Sequence, residues 1–291
     1  MVEHPFCYLY PKTMEEDNKR KEKKTALWFL IALYVIIMAL PEVIYVESEL
    51  FQFFEQVILI LVPTVVISII YIKKSKTSFK EFFSFKKISF KTILLLTLVV
   101  FALPVVVNCV IKVADMFIPY STEVEEEFAL TPQMGDSTFF RVLVFFYSLF
   151  FTAVFPGVCE EILFRGSVLS LSKPLIRKTW IIVIVNALLF AVFHRSMDQL
   201  FYTFFLGLAL TSVVMATGSI VAGMYVHIFY NSIVGLADLF DLSIHPVINK
   251  LSTIINETDS IPSLIIAVLI IVLVVWELNR DRVKKLENNH T

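Results

Sequence analysis

The chain has 291 residues, of which 57% are apolar and only 18% charged, and its mean hydropathy is +0.78. Soluble domains run nearer 45–50% apolar and about 25% charged, so the excess of Phe, Leu, Ile and Val excludes a water-soluble globule. With 25 basic against 26 acidic side chains, there is no global basic field to hold a nucleic acid. Three scattered cysteines, Cys7, Cys109 and Cys159, argue against a disulfide framework or a thiolate metal cage.

About 20 apolar residues cross a bilayer core, and eight runs qualify. Leu27 to Val46 follows a polar tail and lacks a small-residue cleavage signature, so it reads as a retained signal anchor. Leu50 to Ile72 and Thr92 to Ile118 come next. Between them, Phe79 to Phe90 mixes Phe with Lys, as expected of a segment in the headgroup layer. Phe139 to Leu163 is the fourth run. Thr179 to His194, the fifth and shortest, suits a helix that ends in a polar cavity rather than in the far headgroups. Leu200 to Thr217, Ile220 to Phe240 and Ile261 to Leu278 complete the set. The expected fold is all-α: a polytopic membrane bundle of about eight transmembrane helices. Its divisions are a tail over 1–26, three helices with their loops over 27–138, a motif-bearing unit over 139–240, and a last loop, helix and tail over 241–291.

Lys and Arg concentrate in cytoplasmic loops. Twenty of the 25 basic residues fall in the N-terminal tail, the 73–91 loop, the 173–178 loop and the C-terminal tail, whereas the opposite loops hold Arg195, Lys250 and the acidic group Glu123, Glu125, Glu126 and Glu127. Both termini are therefore expected in the cytoplasm.

Ionisable groups inside a membrane are costly, which makes them the first place to look for function. The fourth run carries Glu160, Glu161 and Arg165, the fifth ends in His194, and the seventh holds His227 and Asn231. Glu161 and Arg165 are four residues apart on one helix face, where they should pair. Glu160 is turned about 100° away and stays available for catalysis. His227 and Asn231 also share a face, as two donors gripping one oxygen would. Counted at about 1.5 Å per residue from the basic loops, these three runs can bring their groups to overlapping depths. The adjacent Cys159 has no His at helical spacing, so it reads as apolar packing rather than as a nucleophile.

The string Glu160-Glu161-Ile-Leu-Phe-Arg165 resembles the EExxxR motif of the CAAX protease and bacteriocin-processing (Abi) family; Phe190 to His194 resembles its FxxxH motif, and His227 to Asn231 its HxxxN motif. The three occur in order, each on its own run, between Phe139 and Phe240. The resemblance implies an eight-helix intramembrane glutamic endopeptidase like the type II CAAX prenyl endopeptidase. It implies no metal and no cofactor, and a membrane-associated peptide or protein substrate. Glu160, with His194 on the same water, would act as the base; His227 and Asn231 would hold the oxyanion; Glu161 and Arg165 would support the helix. Two other readings stay open on the residues alone. Two His and a Glu are a possible zinc ligand set, although HExxH is absent. The same polar cluster would also serve a non-catalytic immunity, adaptor or transport protein.

Overall fold

The structure is a computed structural model, and it describes residues 14–39, 62–75, 78–117, 142–143, 145–147, 149–194, 197–239 and 261–288. The expectations for residues 40–61, for the start of the fourth run, for the acidic group at 123–127 and for Arg195 and Lys250 fall outside them. Among the described residues the chain is all helix: α1 (Met14–Ala39), α2 (Val62–Ser75), α3 (Phe79–Phe82), α4 (Phe90–Asp115), α5 (Phe145–Ser172), α6 (Thr179–Phe193), α7 (Met197–Thr217), α8 (Ile220–Leu239) and α9 (Ile261–Asn288). Four of these, α4, α5, α7 over Gln199–Thr217, and α9, are long and apolar enough to cross a membrane. The chain is a multi-pass integral membrane protein.

Several helices overrun the ends read from sequence: α1 already starts at Met14, within the expected tail, and α2 ends at Ser75 rather than Ile72. α5 continues past Leu163 to Ser172, because the charge of Arg165 is cancelled inside the bundle by Glu161 and does not force the helix out of the apolar layer. α9 continues past Leu278 to Asn288, carrying its basic last turns clear of the apolar stretch. α6 is short, as expected: its 15 residues span about 22 Å against a hydrocarbon core of about 30 Å.

Packing centres on α4 and α7. α7 lies against α4, α6, α8 and α9, and α8 fits between α4 and α5. Leu96, Leu103, Leu163, Phe190, Leu210, Val213 and Val226 fill one continuous core. Ser89 starts α4 by accepting a hydrogen bond from the Thr92 N–H at 3.2 Å, which satisfies a backbone donor that the first turn leaves open. Phe79 to Phe90 does more than rest in the headgroup layer. Phe79 and Phe90 are exposed, but Phe82 and Phe83 turn into the core, and Phe83 occupies the notch left by the missing side chain of Gly166 on α5. α9 is the least buried of the four long helices, with Ile265, Leu269, Val272 and Trp276 directed outward.

Candidate active site

α5 is not uniformly α-helical. Leu149–Val154 and Ile162–Val168 are π-helical, and between them Phe155–Glu161 is α-helical. Pro156 stands at the start of that α segment and has no N–H to offer a helical ladder. Gly157 lets α5 approach α8 closely, since a Cβ there would lie 2.7 Å from Ile228 Cγ1 and 3.2 Å from the Ile228 backbone nitrogen. Glu160 and Glu161 thus end a short α segment pressed against α8, with widened turns on both sides. Such π segments recur at functional sites.

Glu161 faces inward and is fully buried. Arg165 donates from Nη1 to its Oε1 at 2.8 Å, and Arg165 Nη2 donates to the Gly207 carbonyl of α7 at 3.2 Å. The guanidinium also lies over the Phe190 ring, 4.5 Å from its centroid. Across the interface, His227 Nδ1 sits 3.1 Å from Glu161 Oε1; a carboxylate accepts, so the imidazole donates. Gly223, one turn before His227, carries no Cβ, and one added there would run into Glu161 Oε2 and approach Val214 Cγ2 to 2.7 Å. Breaking a buried ion pair by removing one partner costs about 3–5 kcal/mol, so this network fixes α5 against α7 and α8.

Glu160 points elsewhere. Its Oε2 lies 3.9 Å from His227 Nε2 and 4.0 Å from His194 Nε2, and it has no hydrogen-bond partner among the described residues. Its side chain is 16% exposed, against 0% for Glu161. His194 ends α6 and is held by its Nδ1–H, which donates to the Phe190 carbonyl at 2.8 Å. That bond fixes the tautomer of the neutral ring and turns a bare Nε2 toward Glu160. Phe190 organises both imidazoles, with ring centroids 4.7 Å from His194 and 5.8 Å from His227. Behind it, Asn186 donates to the Phe164 carbonyl at 3.0 Å and accepts from Thr211 at 3.1 Å, locking α6 to α5 and α7.

Five of the six residues singled out from sequence therefore meet: Glu160, His194 and His227 around one point, with Glu161 and Arg165 behind it. Asn231 stands one turn beyond His227 on α8, half-buried. Sequence reasoning paired Glu161 with Arg165 but missed His227 as its second partner, 66 residues away. Gly223, in an apolar helix, reads from sequence as a glycine that permits close helix contact, and the structure sets that contact against Glu161. Among the described residues, no group of three or more His, Cys, Asp or Glu is arranged to hold a metal ion.

Residues 142–233 match the family model described as Type II CAAX prenyl endopeptidase Rce1-like. The matched stretch is about a third of the chain and contains Glu160, Glu161, Arg165, Phe190, His194, His227 and Asn231. No curated protein and no solved structure matches the chain.

Proposed function

We propose that this protein is an intramembrane endopeptidase that hydrolyses a peptide bond of a membrane-associated, CAAX-type substrate with a water activated by Glu160. One observation carries the reading: a buried carboxylate oxygen without a partner, about 4 Å from two imidazole nitrogens. Those distances exceed a direct hydrogen bond, but a water set to one side of the Glu160–His194 line reaches both groups. Glu160 Oε2 and His194 Nε2 both accept, so they take the two hydrogens of that water and leave its lone pair facing a carbonyl carbon. As the C–O bond forms, one proton passes to Glu160. In the doubly protonated form, with Nδ1–H held on Glu161, the His227 imidazolium donates from Nε2–H to the developing oxyanion, and Asn231 reaches the same oxygen from one turn away on α8. Collapse breaks the C–N bond, and Glu160 returns its proton to the leaving amine. Glu161 takes no proton in this scheme; it orients His227 through Nδ1.

The family match supports the peptidase reading and the CAAX-type substrate class. The test is cleavage of membrane-associated peptides by the purified chain in vesicles, read by mass spectrometry and compared with Glu160→Gln. Peptide products formed equally by both proteins would end the proposal. The same reading puts both termini in the cytoplasm, on the strength of the Lys and Arg bias among the loops. A reporter fused after residue 24 or after residue 285 that reads external would overturn that orientation.

A further inference from the structure

At the end of the bundle away from His194, cations collect around Lys173. Lys173 follows directly on α5 and is half-buried. The charged groups acting on it are Arg282 of α9, Lys86 from the segment between α3 and α4, and Lys23 of α1. All three are cations, and no carboxylate among the described residues pairs with Lys173. The carboxylates of α9 nearby are already engaged: Glu277 and Asp281 accept from Lys91 at 2.9 and 2.7 Å, and Glu277 also pairs with Arg280.

The convergence is built into the fold. α1 packs on the Leu169–Ser172 turn that leads into Lys173. The backbone of Lys86 is tied down, because its carbonyl accepts from Ser219 Oγ and the Ser84 carbonyl accepts from the Ile220 N–H at 3.2 Å. Arg282 donates to the Met215 carbonyl at the end of α7 and packs over Gly218, whose φ of +67° turns the chain into α8. A Cβ at Gly218 would lie 3.1 Å from the Arg282 guanidinium carbon. Burial first, and then the three cations, push Lys173 down to about 8 from its ordinary 10.5.

A second, independent observation fixes the level of this cluster in the membrane. All three tryptophans of the chain, Trp28, Trp180 and Trp276, are exposed and lie at this end, with Lys178 and Arg280 over the rings of Trp180 and Trp276. Exposed tryptophans mark the border between hydrocarbon and headgroups. Lys23 lies five residues outward of Trp28 and Arg282 six residues outward of Trp276, which is about 8–9 Å along a helix and so within the layer of lipid phosphates.

We propose that Lys23, Lys86, Lys173 and Arg282 form a binding site for the phosphate of an anionic phospholipid headgroup, seated where α1, α5, α9 and the α3–α4 segment meet. The ligand chemistry is a phosphate anion, and its position beside the tryptophan belt makes the source a lipid. Basic pockets between membrane helices at the headgroup level take such ligands.

The tryptophans supply the readout. The full chain is reconstituted in phosphatidylcholine vesicles containing a minor fraction of phosphatidylglycerol with brominated chains, and quenching is compared with the inverse labelling. The wild type should prefer the anionic lipid, and the preference should fall about fivefold for Lys86→Gln and again for Lys23→Gln. Lys86 is the primary variant because its side chain is exposed and its structural contact is made by its backbone. Lys80→Gln removes an exposed cation of the same segment outside the cluster and should keep the wild-type preference. Equal quenching by both lipids, or equal loss in Lys80→Gln, overturns the site. Abolition of the preference by millimolar inorganic phosphate overturns the lipid as its source.

Discussion

The molecule holds two groups of charges that obey opposite rules. Near the middle of the bundle, Glu161 is held by Arg165 at 2.8 Å and by His227 at 3.1 Å, so unlike groups satisfy one another. At the tryptophan-marked end, Lys23, Lys86, Lys173 and Arg282 share one sign. The contrast follows from the dielectric. In hydrocarbon an uncompensated charge is too costly to keep, so Glu161 is compensated by Arg165, while Glu160, without such a cation, turns its unbonded Oε2 toward His194 and His227. At the headgroup layer, water and lipid phosphates take up the difference, so like charges accumulate there and face outward for a counter-ion.

The largest expected effect falls on Glu160. Glu160→Gln keeps the shape but removes the proton acceptor, and turnover per folded molecule should drop by about 10²- to 10⁴-fold with yield and thermal stability unchanged. Glu161→Gln inverts that pattern. It leaves Arg165 buried without its partner and should cost about 3–5 kcal/mol of stability, seen as lost yield and a lower melting temperature in detergent. If Glu161→Gln were well folded but dead while Glu160→Gln stayed active, the division of labour between the two carboxylates would be reversed.

Gly223→Ala comes next. Its methyl group would press on the Glu161 carboxylate and on Val214, and overpacking of this kind costs about 1–3 kcal/mol. Because the displaced oxygen belongs to the carboxylate that orients His227, turnover should fall together with stability. Wild-type turnover in a Gly223→Ala protein would show that Glu161 does not position the imidazole.

The smallest effect belongs to the outer cluster. Lys173 titrates near 8 in the folded chain and near its ordinary 10.5 when unfolded. Between those values the unfolded chain holds a proton that the folded chain has released, so stability should rise with pH across that window. In zwitterionic detergent the melting temperature of the wild type, measured against Lys173→Gln, should climb modestly from about pH 8 to about pH 10.5. A difference that stays flat, or falls, contradicts the burial of Lys173 among neighbouring cations.

How much of this was legible depended on how local each contact was. Glu161 with Arg165 is a contact within one helix, and its spacing alone is enough to read it. The 3.1 Å approach of His227 to Glu161 depends on how α5 and α8 pack, which Gly157 and Gly223 permit and which no spacing rule encodes. The helical, lipid-embedded character follows from composition; the end of α5 does not, because hydropathy counts Arg165 as a charge and the fold has already neutralised it. Phe82 and Phe83 were read as headgroup-layer residues because their neighbours are lysines. The burial of Phe83 is decided by the notch at Gly166, on a helix more than 80 residues away, and that of Phe82 by packing on Tyr71 of α2.

The π-helical stretch from Ile162 to Val168 has a consequence best put in the language of insertions and deletions. A stretch bonded from i to i+5 holds one more residue per turn of ladder than an α-helix does. Within it, Arg165 meets Glu161 four residues back at 2.8 Å, and Ser167 Oγ lies 2.8 Å from Ser68 Oγ on α2. Removing one codon between Glu161 and Arg165 would break their four-residue spacing and part the ion pair while leaving composition and hydropathy almost untouched. For this helix the length of the gene segment is a stricter constraint than the identity of most residues in it, the reverse of what holds in a surface loop.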